Sequence, residues 1–391
     1  MREPQPRPRV PFGDVVHLVK DRVDPATSGL TRYVAGEHMD TNDLRLRRWG
    51  TIGADYLGPA FHMRFKPGHV LYGSRRTYLR KVAVADFEGI CANTTFVLEP
   101  KDPAVLLPEF LPFVMQTEAF HDHSIKQSKG SVNPYINFSD LAWYDFPLPP
   151  PDEQRRLVEV LSCAFEVYEA HRKVRETIEQ LLAAHSLEAF RALTSSGVPF
   201  EKLADLCSFG PQSGLYKGKD YYGSGIPMVH MGELFAHDVI SSSTEMQLVE
   251  LTDTEHRKYE LTSSDLLFGR RSIVLEGAGR CVLVQKIDSP VTFESSIIRV
   301  TIDATLASNS FLFEWFNSPE GKRRISAIIT FTTVAGVKGS DVARLEVPLP
   351  DLASQNTLVE RISSLRKGVK AAQIQALQSS EMYSAIRNTM L

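Results

Sequence analysis

A passage near residue 140 returns 201 positions later with its spacing intact. Phe138-Ser139-Asp140-Leu141-Ala142 leads through Pro147-Leu148-Pro149 to Gln154, Leu157, Val158 and Glu159. Gly339-Ser340-Asp341-Val342-Ala343 leads through Pro348-Leu349-Pro350 to Gln355, Leu358, Val359 and Glu360. A solenoid unit typically runs about 20–50 residues, so this period is too long for one. It is the length of a domain plus its connector, and the chain is therefore read as a tandem duplication. Two similar units suit a bivalent reader better than a single catalytic cleft. The 391 residues are also too many for one comfortable core.

The segments 11–150 and 199–350 are mixed in pattern. Short β-branched or alternating runs, such as Val70-Leu71-Tyr72, Val82-Ala83-Val84, Thr94–Leu98, Arg280–Val284 and Ser296–Ile302, are separated by Gly, Pro, Asn and Ser clusters. These predict strands of a mostly antiparallel sheet or open barrel. Pro108–Phe120 and Asn309–Ile325 predict one helix near the end of each unit, again 201 apart.

Two other segments are helical throughout. From Asp152 to about Leu193 there is no Gly or Pro, and Leu157, Leu161, Ala164, Val167, Val174, Ile178 and Leu181 form one apolar stripe, with His171 as its polar exception. Pro149–Pro151 precede it, with Asp152 as the expected N-cap. From about Ala353 to Arg387 a second stripe runs through Leu358, Ile362, Leu365, Val369, Ala372, Ala376, Tyr383 and Ile386, with Gly368 its weak point. Each seam is too narrow to stand alone in water, so the two helices are expected to pair as an antiparallel coiled coil. The fold class is α/β (α+β): 1–150 and 199–350 as globular domains, 151–198 and 351–391 as helices, related by a pseudo-twofold duplication.

Composition excludes several classes. Apolar residues at 43% and charged residues at 23% indicate neither disorder nor a membrane protein, and no stretch approaches the roughly 18 apolar residues of a spanning helix. Met1–Arg9, rich in Pro and Arg, does not read as a secretory signal. Cys91, Cys163, Cys207 and Cys281 are scattered without a CxxC pair, so a reducing cytoplasm is expected rather than a disulfide framework or zinc site. Net charge is −3. Residues 1–150 hold 18 Lys+Arg against 17 Asp+Glu, and residues 199–350 hold 15 against 19. A nucleic-acid binder needs basicity on one face only, but this balance leaves much of the phosphate neutralisation to partners.

With the duplication, the long helices and Pro147-Leu148-Pro149-Pro150-Pro151-Asp152-Glu153-Gln154-Arg155-Arg156-Leu157-Val158 in place, the chain resembles the specificity subunits of type I restriction–modification systems. The opening of the second unit is similar to the start of that family's target-recognition domains: Phe200–Leu206, Gly214, Tyr216, Gly225-Ile226-Pro227 and Gly232-Glu233-Leu234. The second copy departs at Asp351-Leu352-Ala353-Ser354-Gln355, which lacks the Glu-Gln-Arg wording. The resemblance implies two target-recognition domains, each reading one half of a bipartite site on double-stranded DNA. It further implies helices that set the gap and dock two methyltransferase subunits, with motor-nuclease subunits joining for restriction. S-adenosylmethionine, ATP and Mg would then sit on those partners, and this chain would hold no cofactor and catalyse nothing. A scaffold with two protein-binding domains and an oligomerising stalk is the alternative, favoured by the acidic second unit.

Arginine pairs occur at matching places: Leu71-Tyr72-Gly73-Ser74-Arg75-Arg76 and Leu267-Phe268-Gly269-Arg270-Arg271. A strand ends, Gly turns the chain, and guanidinium groups project that can fork onto guanine O6 and N7 or clamp a phosphate; solvated charges on a hairpin tip are the plain alternative. The loops before each repeat, Lys126-Gln127-Ser128-Lys129-Gly130-Ser131 and Thr330–Lys338, offer hydroxyls, Lys126, Lys129, Ser131 and Lys338 for phosphate contact. Lys322-Arg323-Arg324 close a helix, where the macrodipole alone favours cations. Arg45, Arg47 and Arg48 beside Trp49, and Lys217 and Lys219 beside Tyr221 and Tyr222, are further candidate DNA contacts.

Enzyme signatures are weak. Asn133-Pro134-Tyr135-Ile136 falls short of an Asn-Pro-Pro-Tyr base pocket and reads as a turn, and no GxxxxGK[ST] is present. Asp86 followed after twelve residues by Glu99-Pro100-Lys101 has nuclease spacing. Pro100, however, disfavours the strand such a motif needs, and the second unit has Asp288 but Arg299-Val300-Thr301 in place of the rest. His121-Asp122-His123 lacks a third metal ligand.

Overall fold

The computed structural model describes residues 7–54, 56–331 and 334–391. It divides into two compact units: one runs to Arg172 and includes Gln375–Leu391, the other spans Lys173–Ile374. Each unit therefore contains a globular part and a stretch of both long helices.

The same sheet appears in both. In the first unit Val16–Val19, Thr95–Pro100, Val70–Gly73 and Val82–Val84 lie side by side, all antiparallel. In the second, Cys207–Ser213, Ile297–Ile302, Asp265–Gly269 and Cys281–Val284 repeat that order, with Val239–Ile240 added in parallel at the edge. A second small sheet joins Arg32–Val34 parallel to Gly89–Ala92, matched by Tyr222–Val229 parallel to Thr292–Phe293. The central strand is buried on both faces because side chains alternate. Val70 and Tyr72 pack with Phe110 and Phe120, while Leu71 packs with Val34 and Phe65. Leu266 and Phe268 pack with Phe311 and Phe316, and Leu267 with Val229 and Phe293.

The repeated passage has a defined shape in both copies. Phe138–Ala142 and Gly339–Ala343 are single helical turns. Asp145–Pro147 then pairs with Arg9–Pro11, and Glu346–Pro348 with Phe200–Lys202. Both are two-stranded ribbons, where a proline at the strand end removes no central hydrogen bond.

The helices expected at Pro108–Phe120 and Asn309–Ile325 are each broken in two. Leu111–Met115 is followed by Glu118–Lys126, and Asn309–Asn317 by Pro319–Ser326. Thr117 Oγ1 accepts from Phe120 N at 3.2 Å, and Ser318 Oγ from Gly321 N at 3.1 Å, so two N-caps 201 residues apart restart the helix. Apolar periodicity runs across such a break, which is why the pattern alone predicts one helix.

The central helix is Pro151–Ser195 and the C-terminal helix Leu352–Met390. Asp152 is not the N-cap: Pro151 occupies the first helical position, where its missing N–H costs nothing. Asp351 is a cap in the second copy, its carboxylate accepting from Ser354 N at 2.9 Å. The helices run antiparallel. Phe165 and Tyr168 meet Tyr383 in the first unit. In the second, Ile178 lies beside Gly368, Glu179 accepts from Gln373, and Phe190 shares a cluster with Ile362. As one number rises the other falls.

The C-terminal seam matches its expected stripe: Ile362, Val369, Ala372, Ala376 and Tyr383 are buried. The central one does not. Leu157, Leu161 and Ala164 are buried, but Val167, Val174 and Leu181 are exposed, and Phe165, Glu169 and Ser186 take the inner face instead. The central helix drifts off a strict seven-residue stripe at 3.6 residues per turn, and its inner positions beyond Phe165 include polar side chains.

The duplicated glutamine explains why the repeat extends into the helix. Gln154 is fully buried; its Oε1 accepts from Leu107 N at 2.9 Å, and its Nε2 donates to Val105 O and Pro149 O at 2.8 Å each. Gln355 does the same with Ser308 N and Pro350 O, both at 2.8 Å. One side-chain amide thus ties the first turn of each long helix to the loop ahead of its domain's helices. Gln154→Leu strands these backbone groups and should lower the unfolding free energy by about 1–3 kcal/mol. Urea denaturation checks this, with the exposed Gln127→Leu as a silent control.

Candidate nucleic-acid interface

In the first unit Gly73 ends the central strand, its N–H donating to Lys81 O at 3.0 Å. Ser74 Oγ then donates to Thr94 O at 2.7 Å, and Ser74 O accepts from Ile136 N at 2.9 Å. Arg75 pairs with Tyr135 across an isolated bridge, its guanidinium 5.8 Å from that ring. Arg76 follows with φ 50°, a left-handed backbone that costs an L-residue about 1 kcal/mol; its N–H donates to Pro134 O at 2.6 Å. Lys129 and Tyr135 exchange both backbone hydrogen bonds, at 2.8 and 2.9 Å, which folds the Lys126–Ser131 loop and the Asn133-Pro134 turn onto the arginines.

The result is a cleft of about 320 Å³ lined by Arg75, Arg76, Lys81, Thr94, Thr95 and Asn133, among others. Among the described residues neither Arg75 nor Arg76 has a carboxylate partner, and both are exposed. Partial burial and then the neighbouring Arg76 push the Lys81 ammonium below its usual range. Crowded positive charge of this kind suits a polyanion. Lys126 and Ser131 are exposed alongside, whereas Lys129 is held 2.7 Å from Asp140, the repeat's own aspartate.

The second unit repeats the stitching. Val337 N donates to Arg270 O at 3.0 Å, and Arg271 pairs with Gly336, which lies 201 residues after Tyr135. Arg270 Nη1 donates to Ser295 O at 3.1 Å. Arg271 and Lys338 are exposed and, among the described residues, have no carboxylate partner. Within the loop Thr330–Lys338, Thr332 and Thr333 lie outside the described residues.

The remaining candidates stand elsewhere, most of them in structural roles. Arg45 contacts Glu166 at 2.5 Å, and Arg47 reaches Asp43 and Glu169 at 2.6 Å each. Burial alone would raise the Glu169 carboxyl, but hydrogen bonds from Arg172 and Arg47 hold it below its usual range. These arginines bind the first domain to the central helix. Arg48 pairs with Asp40. Lys217 is paired with Glu255 at 2.7 Å and lies 4.5 Å over Tyr221, while Lys219 beside it is exposed and, among the described residues, unpaired. Arg323 and Arg324 both pair with Glu320, Arg324 also stacking on Phe200 at 4.8 Å; Lys322 is exposed.

Sequence reading did not single out Lys81, Thr94, Thr95 or Asn133 as site residues. Their one signal is position, since each sits at a strand end or turn beside Gly73 or Tyr135. The enzyme decoys do not assemble. Lys101 Nζ is committed to Gly13 O at 2.6 Å and Glu99 to His17 at 3.2 Å. Pro100 does lie in a strand, but as its last residue, opposite Val16. His121 is fully buried, pushed down to about 3 by burial and then by Arg80 and Arg387, while His123 instead faces Asp140 O at 2.9 Å. Among the described residues no cluster could hold a metal ion, and no helix is long and apolar enough to cross a membrane.

Residues 34–180 match the family model described as the type I restriction modification DNA specificity domain. The chain is 24% identical over 287 residues to the type I restriction enzyme EcoKI specificity subunit of Escherichia coli K12, covering 67% of this chain and 60% of that protein. It is 27% identical over 188 residues to the EcoDI specificity subunit of Escherichia coli, covering 46% and 40%. The matches thus span less than two thirds of these relatives' length. In fold it is similar to the crystal structure of a type I restriction–modification S subunit from M. genitalium, with a TM-score of 0.59 at 12% identity over 98% of this chain and 96% of that one. By sequence the chain is thus similar to the specificity subunits of type I restriction–modification systems, and it shares the fold of the M. genitalium S subunit nearly end to end.

Proposed function

We propose that this chain is the non-catalytic DNA-recognition subunit of a type I restriction–modification complex. Each globular domain, 1–150 and 199–350, reads one half of a bipartite site on double-stranded DNA. The helices in 151–198 and 351–391 set the gap between the halves and dock two methyltransferase subunits, to which motor-nuclease subunits add restriction. Methyl transfer, with S-adenosylmethionine, and ATP- and Mg-dependent steps belong to those partners. A neutral to acidic chain needs such help with phosphate neutralisation.

One observation carries this reading. In both units an exposed arginine with no carboxylate partner among the described residues leaves the end of the same central strand and is stitched to the same repeat position, Arg75 to Tyr135 and Arg271 to Gly336. A scaffold has no need for unpaired guanidinium groups at duplicated positions. Arg75, Arg76, Arg270, Arg271, Lys126, Ser131 and Lys338 are the residues assigned to DNA; the partnered Arg45, Arg47, Lys217 and Arg324 are not.

The test is co-expression with a type I methyltransferase subunit from the same organism, followed by single-molecule sequencing of the host DNA. The expected result is a stable complex that modifies one bipartite sequence. A chain that purifies without a methyltransferase, and whose loss leaves DNA modification unchanged, would favour the scaffold.

A further inference from the structure

The two arginine loops diverge immediately after the arginine. In the first unit Arg76 leads to the buried Thr77. In the second, Arg271-Ser272 leads to Ile273, Val274 and Leu275, which are 88%, 48% and 54% exposed, with Phe331, at the far edge of the same small sheet, 64% exposed. Three consecutive exposed aliphatic residues are costly on a loop unless they meet something.

The loop is held in place. Ser272 Oγ accepts from Val274 N at 3.2 Å, Gly277 N donates to Val274 O at 3.3 Å, and Gly279 N closes the base on Gly269 O at 2.7 Å. Gly277 is packed so tightly that a Cβ there would stand 2.3 Å from both the Phe235 ring and Ser272 Oγ. Arg271 and Lys338 flank the patch as exposed cations, and Glu276 is exposed on the loop itself.

Resting on the DNA-reading assignment above, we propose that this loop seats the C5-methyl group of a thymine in the half-site read by the second unit. Flanking cations draw the loop to a polyanion. Aliphatic side chains gain nothing at a phosphate, and the Glu276 carboxylate is repelled by one. The apolar group that major-groove base edges present is the thymine methyl, while a carboxylate can accept from cytosine N4. The loop therefore suits base edges rather than backbone.

The full chain, with its methyltransferase partner, is used to select from a random duplex pool. The half-site lost in Arg271→Ala is the one assigned to this unit. Deoxyuridine is then placed for thymidine in one half at a time. Uracil in the second unit's half should weaken binding about four-fold per seated methyl, taking the usual value of one buried carbon. Ile273→Ser with Leu275→Ser should bind the thymine duplex as weakly as wild type binds the uracil one, and no longer distinguish them. An enriched site whose second half tolerates uracil overturns the thymine assignment alone, and points to an apolar wedge if the double variant still loses binding. Release of the methyltransferase by that variant, with methyl discrimination intact, overturns it in favour of a protein surface. A pool yielding no enriched site overturns the DNA-reading function itself.

Discussion

Replacing Arg75 and Arg76 together by alanine should abolish recognition of one half-site and leave the other readable. A guanidinium that forks onto a base edge contributes about 1–3 kcal/mol of discrimination. Losing two such contacts weakens cognate binding by at least about 30-fold. Stability should fall by no more than about 1 kcal/mol, because both side chains are exposed and, among the described residues, neither is ion-paired. The contact of Arg75 with Tyr135 is an exposed cation–π interaction, which contributes about 0.5–1 kcal/mol. The conservative variant separates two roles. If the arginines read bases, Arg75→Lys with Arg76→Lys restores affinity but not sequence preference, since an ammonium lacks the planar fork. If they clamp phosphate, lysine restores both. Footprinting of the modification complex at two salt concentrations provides the readout, and loss at both halves or at neither would overturn the assignment.

The largest effect on stability is expected at Glu314. Its carboxylate is 5% exposed and is gripped by Arg366 of the C-terminal helix, Nη2 to Oε2 at 2.6 Å and Nε to Oε1 at 3.2 Å. Burial pushes this carboxyl above its usual range, and Arg366 offsets only part of that. Arg366 also reaches Asp238 at 3.1 Å and lies 5.1 Å over Phe313. Glu314→Ala leaves a largely buried guanidinium short of its main partner, and such losses cost about 3–5 kcal/mol; the remaining contact to Asp238 places this one near 3 kcal/mol. The double variant Glu314→Leu with Arg366→Met should recover most of the loss, because an apolar pair avoids the desolvation cost. Denaturant titration of the wild type and these two variants tests this. A double variant no better than the single one would mean that the ion pair itself, rather than the stranded charge, sets the stability.

The two arginine loops carry the same label in sequence and differ in chemistry once folded. Arg75 and Arg76 line a cleft with Lys81, whereas Arg271 flanks an apolar tip. Arg47 looks as available as Arg75 in the sequence, yet it is neutralised by Asp43 four residues away and by Glu169 far along the chain. The first partner lies within reach of local reading. The second is placed only by the docking of the central helix.

What the sequence determined by itself is whatever rests on fixed spacing: the duplication, the two long helices, the prolines at their starts and the strand ends at Gly73 and Gly269. These are local or repeated patterns, and helix and strand periods read directly from side-chain order. The tertiary structure alone decided which polar groups are spent. Gln154 and Gln355 look like surface residues in a helical stripe and are the buried ties of both helices. Glu169 takes an inner position on a helix whose Val167, Val174 and Leu181 face outward. Burial and ion pairing here depend on contacts that reach from 47 positions along the chain, for Gln154 with Leu107, to 122, for Glu169 with Arg47, and no local period encodes them.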